Sequence, residues 1–173
     1  MSKLDNSNTR ENLTIRLHWR GPFTLDEVQD MEDGNGLYLF TGKRPYEREA
    51  SIQYCGITEG QYRRRFANHQ ALEEINRDLQ IWLGEVAYPV EHTRTHLEIA
   101  EATIVYFWQP ELNTQLKYRP PRPTTVISHW FKRDGTPRYN QQSIYSELYD
   151  VLCWDGDLWR TGNLKVWADA EPA

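Results

Sequence analysis

Six side chains in the first two thirds of the chain could together move protons and hold charge: Tyr38, Tyr54, Arg65, His69, Glu101 and Asn113. Glu101 draws attention first. Leu97, Ile104 and Trp108 lie four before, three after and seven after it, so on a helix all four share one apolar stripe. A carboxylate on such a stripe needs a partner. Two partners fit: a nearby guanidinium such as Arg65, or a hard divalent cation, since Mg²⁺ takes only one or two protein carboxylates and fills its remaining sites with water and phosphate oxygens. Arg65 and His69 are spaced to project from one helical face. Tyr38 and Tyr54 fall in strand-like runs, where a tyrosine is ordinarily a packing residue. A phenol with pKa near 10 is ionised about one part in a thousand at pH 7, a deficit of roughly 4 kcal/mol that a neighbouring cation can offset. His69, with an ordinary pKa near 6.5, competes with it for the role of base.

The elements that must position these groups are legible from periodicity. Residues 13–19 alternate apolar and polar and end at Gly21-Pro22, which predicts a strand and a turn. Thr24 with Glu27 three residues on is a capping-box pattern for a short helix. Residues 37–41 and 52–56 read as two strands joined by a charged, Pro45-containing loop in solvent. A helix is expected over 61–79, a strand over 80–88, and a second helix over 95–108 that Pro110 stops. The order strand, strand, helix, strand, helix predicts an α+β arrangement: a small antiparallel three-stranded sheet flanked by helices, preceded by the N-terminal strand.

With those elements in place, the triplets Gly36-Leu37-Tyr38 and Tyr54-Cys55-Gly56, then Arg65 with His69, then Glu101 twelve residues before Asn113, resemble the GIY-YIG endonuclease family over residues 36–117. At about 5% per residue type, a chance match of even seven of these positions is on the order of one in a billion per placement. Leu37 and Cys55 stand where the family name has Ile, apolar for apolar. Arg65 is preferred over Arg63 and Arg64 because Phe66 and His69 follow it at the family's spacing. The resemblance implies a ββαβα fold and metal-dependent hydrolysis of DNA phosphodiester bonds by in-line attack of water. It implies Mg²⁺ (or Mn²⁺) on Glu101, Arg65 on the scissile phosphate, Tyr38 or His69 as proton acceptor, Tyr54 orienting the water and Asn113 bracing the site through backbone hydrogen bonds. Arg63 and Arg64, with Lys43 and Arg44 on the wide loop, are the expected DNA-backbone contacts. A site that makes one nick implies a homodimer or a partner protein for double-strand cleavage.

Charge tempers this reading. Twenty Lys and Arg against 25 Asp and Glu leave a net charge of -5, whereas a protein gripping DNA through many phosphates carries a basic footprint. A vestigial nucleic-acid-binding module of the same fold, or an interaction subunit of a larger nucleic-acid-processing assembly, is the alternative. Residues 1–12 are polar and read as a frayed terminus without a signal sequence. With no apolar run near the ~20 residues of a membrane span, a cytoplasmic protein without membrane contact is expected. Cys55 and Cys153 are too few for a disulfide framework or a zinc site.

The core domain is expected over 13–117. Beyond it, residues 118–123 form a Pro/Arg linker to a β-rich extension over 124–173, with hairpins about Asp134-Gly135 and 155–157. In that extension Trp130, Tyr139, Trp154 and Trp159 interleave with Arg133, Arg138 and Arg160, either as strand core or as a base-stacking platform.

Overall fold

The computed structural model describes residues 11–138 and 149–164. The strands are β1 (Leu13–Phe23), β2 (Gly34–Lys43), β3 (Ser51–Gln61), β4 (Arg77–Tyr88), β5 (Thr124–Phe131), β6 (Val151–Trp154) and β7 (Trp159–Gly162). The helices are α1 (Leu25–Gln29), α2 (Tyr62–Phe66), α3 (Gln70–Glu74) and α4 (Arg94–Trp108). All seven strands lie in one sheet of order β3-β2-β4-β1-β5-β6-β7, antiparallel except for the parallel pair β1 and β5.

The three-stranded antiparallel sheet expected from sequence is therefore corrected to a seven-stranded mixed sheet, with 42% strand against 21% helix. The reason lies in β4. Its run Ile81, Trp82, Leu83, Gly84 is buried on both faces, the pattern of an interior strand, and β1 occupies the side that a three-stranded sheet would leave as an edge. β1 in turn buries Ile15, Leu17 and Trp19 and accepts β5 in register from Leu13 opposite Thr124 to Arg20 opposite Phe131. The C-terminal strands thus extend the same sheet.

Helices cover both faces. α4 lays Leu97, Ala100, Ile104 and Val105 against Leu37, Leu39, Cys55, Trp82 and Trp19. On the other side α1, α2 and α3 pack Val28, Tyr62, Phe66 and Ala71 onto Tyr38, Phe40, Ile81 and Leu83. β2 supplies both cores in strict alternation, Leu37 and Leu39 one way and Tyr38 and Phe40 the other, as the pleat requires. The capping box at α1 forms, with the Glu27 amide donating to Thr24 Oγ1 at 3.2 Å.

The expected long helix over 61–79 is two single turns followed by strand. His69 interrupts it: the imidazole Nδ1 accepts the Ala71 amide at 3.2 Å and so starts α3 instead of continuing α2. Residues 77–79 belong to β4, where Arg77 stands opposite Lys43. Trp130 and Trp154 are buried, so neither offers a face for a base, and the sequence's packing alternative holds for them. Trp159 stacks between Tyr106, Phe107 and Trp154. Residues 1–10, within the expected frayed terminus, and Tyr139 lie outside the described residues. Among the described residues no helix is long and apolar enough to cross a membrane.

Candidate active site

The site is assembled around Tyr38. Its ring points to the α1 to α3 side of β2 and lies across Gly56 on β3, where any side chain's Cβ would come within 2.4 Å of the phenol oxygen. The second triplet ends in glycine for that reason. Gly36, at the start of the first triplet, is similarly obligatory: a Cβ there would sit 2.2 Å from the Tyr62 hydroxyl and 2.2 Å from the Gly84 carbonyl.

Two donors converge on the Tyr38 oxygen. Arg65 Nε donates at 3.1 Å and His69 Nε2 lies at 3.1 Å. Because the Ala71 amide occupies the lone pair of His69 Nδ1, the ring proton resides on Nε2, and that N–H donates to Tyr38. Arg65 and His69 thus meet at one oxygen from two helical segments, not from successive turns of one helix. Tyr54 stacks on Tyr38 with ring centroids 6.0 Å apart, and the His69 ring meets it edge-on at 4.6 Å.

Solvent reaches these groups unequally. Tyr38 is 0% exposed. Tyr54, Arg65 and His69 instead line a cavity of about 430 Å³ with Asn68, Gln70, Ala71, Glu74, Leu112 and Thr114. Burial pushes the Tyr38 phenol well above its ordinary pKa, with Arg65 pulling the other way, and it raises Tyr54 as well. Burial and the adjacent Arg65 charge drive His69 down to about 4, so its imidazole is neutral at pH 7.

Glu101 is carried by α4, which packs on the opposite face of the sheet from Tyr38, and it does not line the cavity at Tyr54. Its charge acts on Tyr54, Cys55 and Arg65. Among the described residues it makes no hydrogen bond and no ion pair. The salt bridge to Arg65 that would have explained a carboxylate in this stripe is not formed. Burial raises Glu101 to about 7, with Arg65 only partly opposing. No group of three or more His, Cys, Asp or Glu side chains gathers to hold a metal among the described residues. A hard cation needs only one or two protein carboxylates, with water and substrate oxygens completing its shell. A desolvated carboxylate without a partner among the described residues, within electrostatic reach of Tyr54, fits that requirement.

Asn113 does not face the cavity. Its amide donates to the Cys55 carbonyl and accepts the Cys55 amide, both at 2.9 Å, while the Leu112 amide donates to the Gln53 carbonyl at 2.9 Å. The segment after α4 therefore closes the outer edge of β3 and fixes the backbone that carries Tyr54. These are backbone hydrogen bonds of the kind expected of Asn113.

No family model, curated protein or solved structure matches this chain. The likeness rests on its own residues. Tyr38, Tyr54, Arg65 and His69 are brought together, while Glu101 reaches Tyr54 and Arg65 only electrostatically, from outside the cavity lining.

The remaining basic candidates divide. Arg64 lines a second cavity next to Arg65, and Arg63 lends its Nε to Gln61 Oε1 at 3.1 Å. Lys43 is ion-paired with Asp78 at 3.1 Å, and neither it nor Arg44 lines the cavity at Tyr54. Sequence reasoning passed over Asn68, which lines both cavities from between α2 and α3. Its one sequence signal is its place directly before His69.

Proposed function

We propose that the chain is a metal-dependent endonuclease of GIY-YIG type that hydrolyses DNA phosphodiester bonds. The observation that supports this reading is Glu101: a mostly buried carboxylate with no hydrogen-bond or ion-pair partner among the described residues, within electrostatic reach of Tyr54 and Arg65, whose desolvated charge a bound cation would compensate. Mg²⁺ bound there would supply Lewis-acid charge to a phosphoryl oxygen.

The protein's own groups take the other roles. Arg65 is anchored through Nε by Tyr38, which leaves its terminal nitrogens to fork a phosphate and meet the charge that builds in the transition state. His69 is not the base: one ring nitrogen accepts the Ala71 amide and the other bears the proton it donates. Tyr38 is the proton acceptor for the attacking water in this reading: it would act as the phenolate, its own proton first passing to solvent, with the N–H groups of Arg65 and His69 stabilising the oxyanion against the burial that opposes it. Tyr54, at the cavity wall, orients that water.

The test is incubation with Mg²⁺ of a panel of linear, nicked, branched and single-stranded DNA, comparing wild type with Glu101→Ala. Wild type should cleave at least one substrate and Glu101→Ala none. Binding without cleavage by wild type would establish the vestigial binding module instead.

A further inference from the structure

The turn from β3 into α2 carries polar groups that the cleavage chemistry does not use. A second cavity of about 440 Å³ opens there between Thr58, Gly60, Gln61, Arg64, Arg65 and Asn68. It shares Arg65 and Asn68 with the cavity at Tyr54 and His69. The two hollows therefore meet at the guanidinium assigned to the scissile phosphate.

The second hollow is built for an anion. Among the described residues no carboxylate lines it. Glu59, the nearest acid in sequence, is drawn off by Arg94 at 3.3 Å. The Gln61 carbonyl oxygen is occupied by Arg63, which leaves the Gln61 amide nitrogen with its donors. Arg64 makes no hydrogen bond or ion pair among the described residues, and neither does the Asn68 side chain. The entrance stays open at Gly60, where a Cβ would meet nothing nearer than Thr58 Oγ1 at 3.8 Å. An exposed arginine alone would signify only a solvated basic edge. One that shares a carboxylate-free hollow with Arg65 is placed to continue the path of a polyanion.

We propose that this hollow binds the phosphodiester adjacent to the scissile one on the same DNA strand, with Arg64 forking its oxygens and Asn68 bridging the two phosphate positions. The inference rests on the cleavage reading above and adds to it a strand path, running along the β3 to α2 turn. It also explains how a chain of net charge -5 can grip DNA: two neighbouring phosphates are held locally, with no need for a broad basic face.

The test is equilibrium binding of a short fluorescent DNA duplex, and separately of its single strand, in EDTA across about 50 to 300 mM salt. Wild type, Arg64→Ala and Arg63→Ala are compared, the last removing the same charge from outside the hollow. Arg64→Ala should weaken binding roughly three- to tenfold and make the log–log salt slope shallower by about 1. Arg63→Ala should stay within about twofold of wild type. Equal losses from both variants, or an unchanged slope in Arg64→Ala while wild type binds, would overturn the subsite and leave the cleavage reading standing. Absence of any salt-dependent binding by wild type would overturn both.

Discussion

Replacing Glu101 by Gln should stabilise the protein at alkaline pH while abolishing its activity. The carboxyl has an ordinary value of 4.5 and is raised to about 7 in the folded chain by burial. Between those values the folded state holds a proton that the unfolded state has released, so stability falls as pH rises through the window and the loss is complete above about 7. At 1.36 kcal/mol per pH unit the full effect is ~3 kcal/mol. Gln keeps the shape and carries no charge, so Glu101→Gln should match wild type near pH 4 and exceed it by up to ~3 kcal/mol at pH 8. For a chain of this size that is roughly 6–12 °C in melting temperature. Thermal melts of both proteins at several pH values measure the difference directly, and other titrating groups cancel in the comparison. A divalent cation should raise the wild-type melting temperature at pH 8, have little effect near pH 4, and leave Glu101→Gln unmoved. Equal stability of the two proteins at pH 8 would refute the claim that Glu101 is a charge buried without a partner.

Tyr38→Phe removes the oxygen that Arg65 and His69 share. Cleavage should fall at least about a hundredfold while the fold persists, as checked by circular dichroism and single-turnover kinetics. With His69 held near 4, the pH–rate profile should show no inflection between about 6 and 7 that disappears in His69→Gln. Asn113→Ala takes two hydrogen bonds from Cys55 and should lower unfolding free energy by about 1–3 kcal/mol in urea titrations, with activity lost through misplacement of Tyr54. Gly56→Ala puts a methyl group on the Tyr38 phenol and should reduce both stability and cleavage, whereas a control, Gly162→Ala, should leave cleavage intact because nothing lies within 4 Å of the added atom.

What the sequence disclosed was local. The Thr24 and Glu27 cap, the strands at Tyr38 and Tyr54, and the helix bearing Glu101 follow from periodicity and end signals that act within a few residues. The sheet's size did not follow. Alternation in residues 13–19 marks a strand but holds no information on its neighbours, and the parallel pairing of β1 with β5 joins segments separated by more than a hundred residues. The break at residues 67–69 was hidden because His69 acts there as a cap, a role ordinarily filled by Ser, Thr, Asp or Asn. In the site, residue types and spacing pointed to the cluster around Tyr38. They did not separate the buried phenol Tyr38 from the cavity-lining phenol Tyr54, since both occupy similar strand positions and only the covering layer of Arg65 and His69 distinguishes them.

Whether Glu101 holds a cation is tested most directly by crystals grown at pH 8 and soaked in Mn²⁺. An anomalous peak on the Glu101 carboxylate, beside Tyr54 and Arg65 and completed by water, is the predicted result. A Glu101 side chain ion-paired to Arg65 with no peak beside it, or manganese bound only elsewhere, would contradict the assignment.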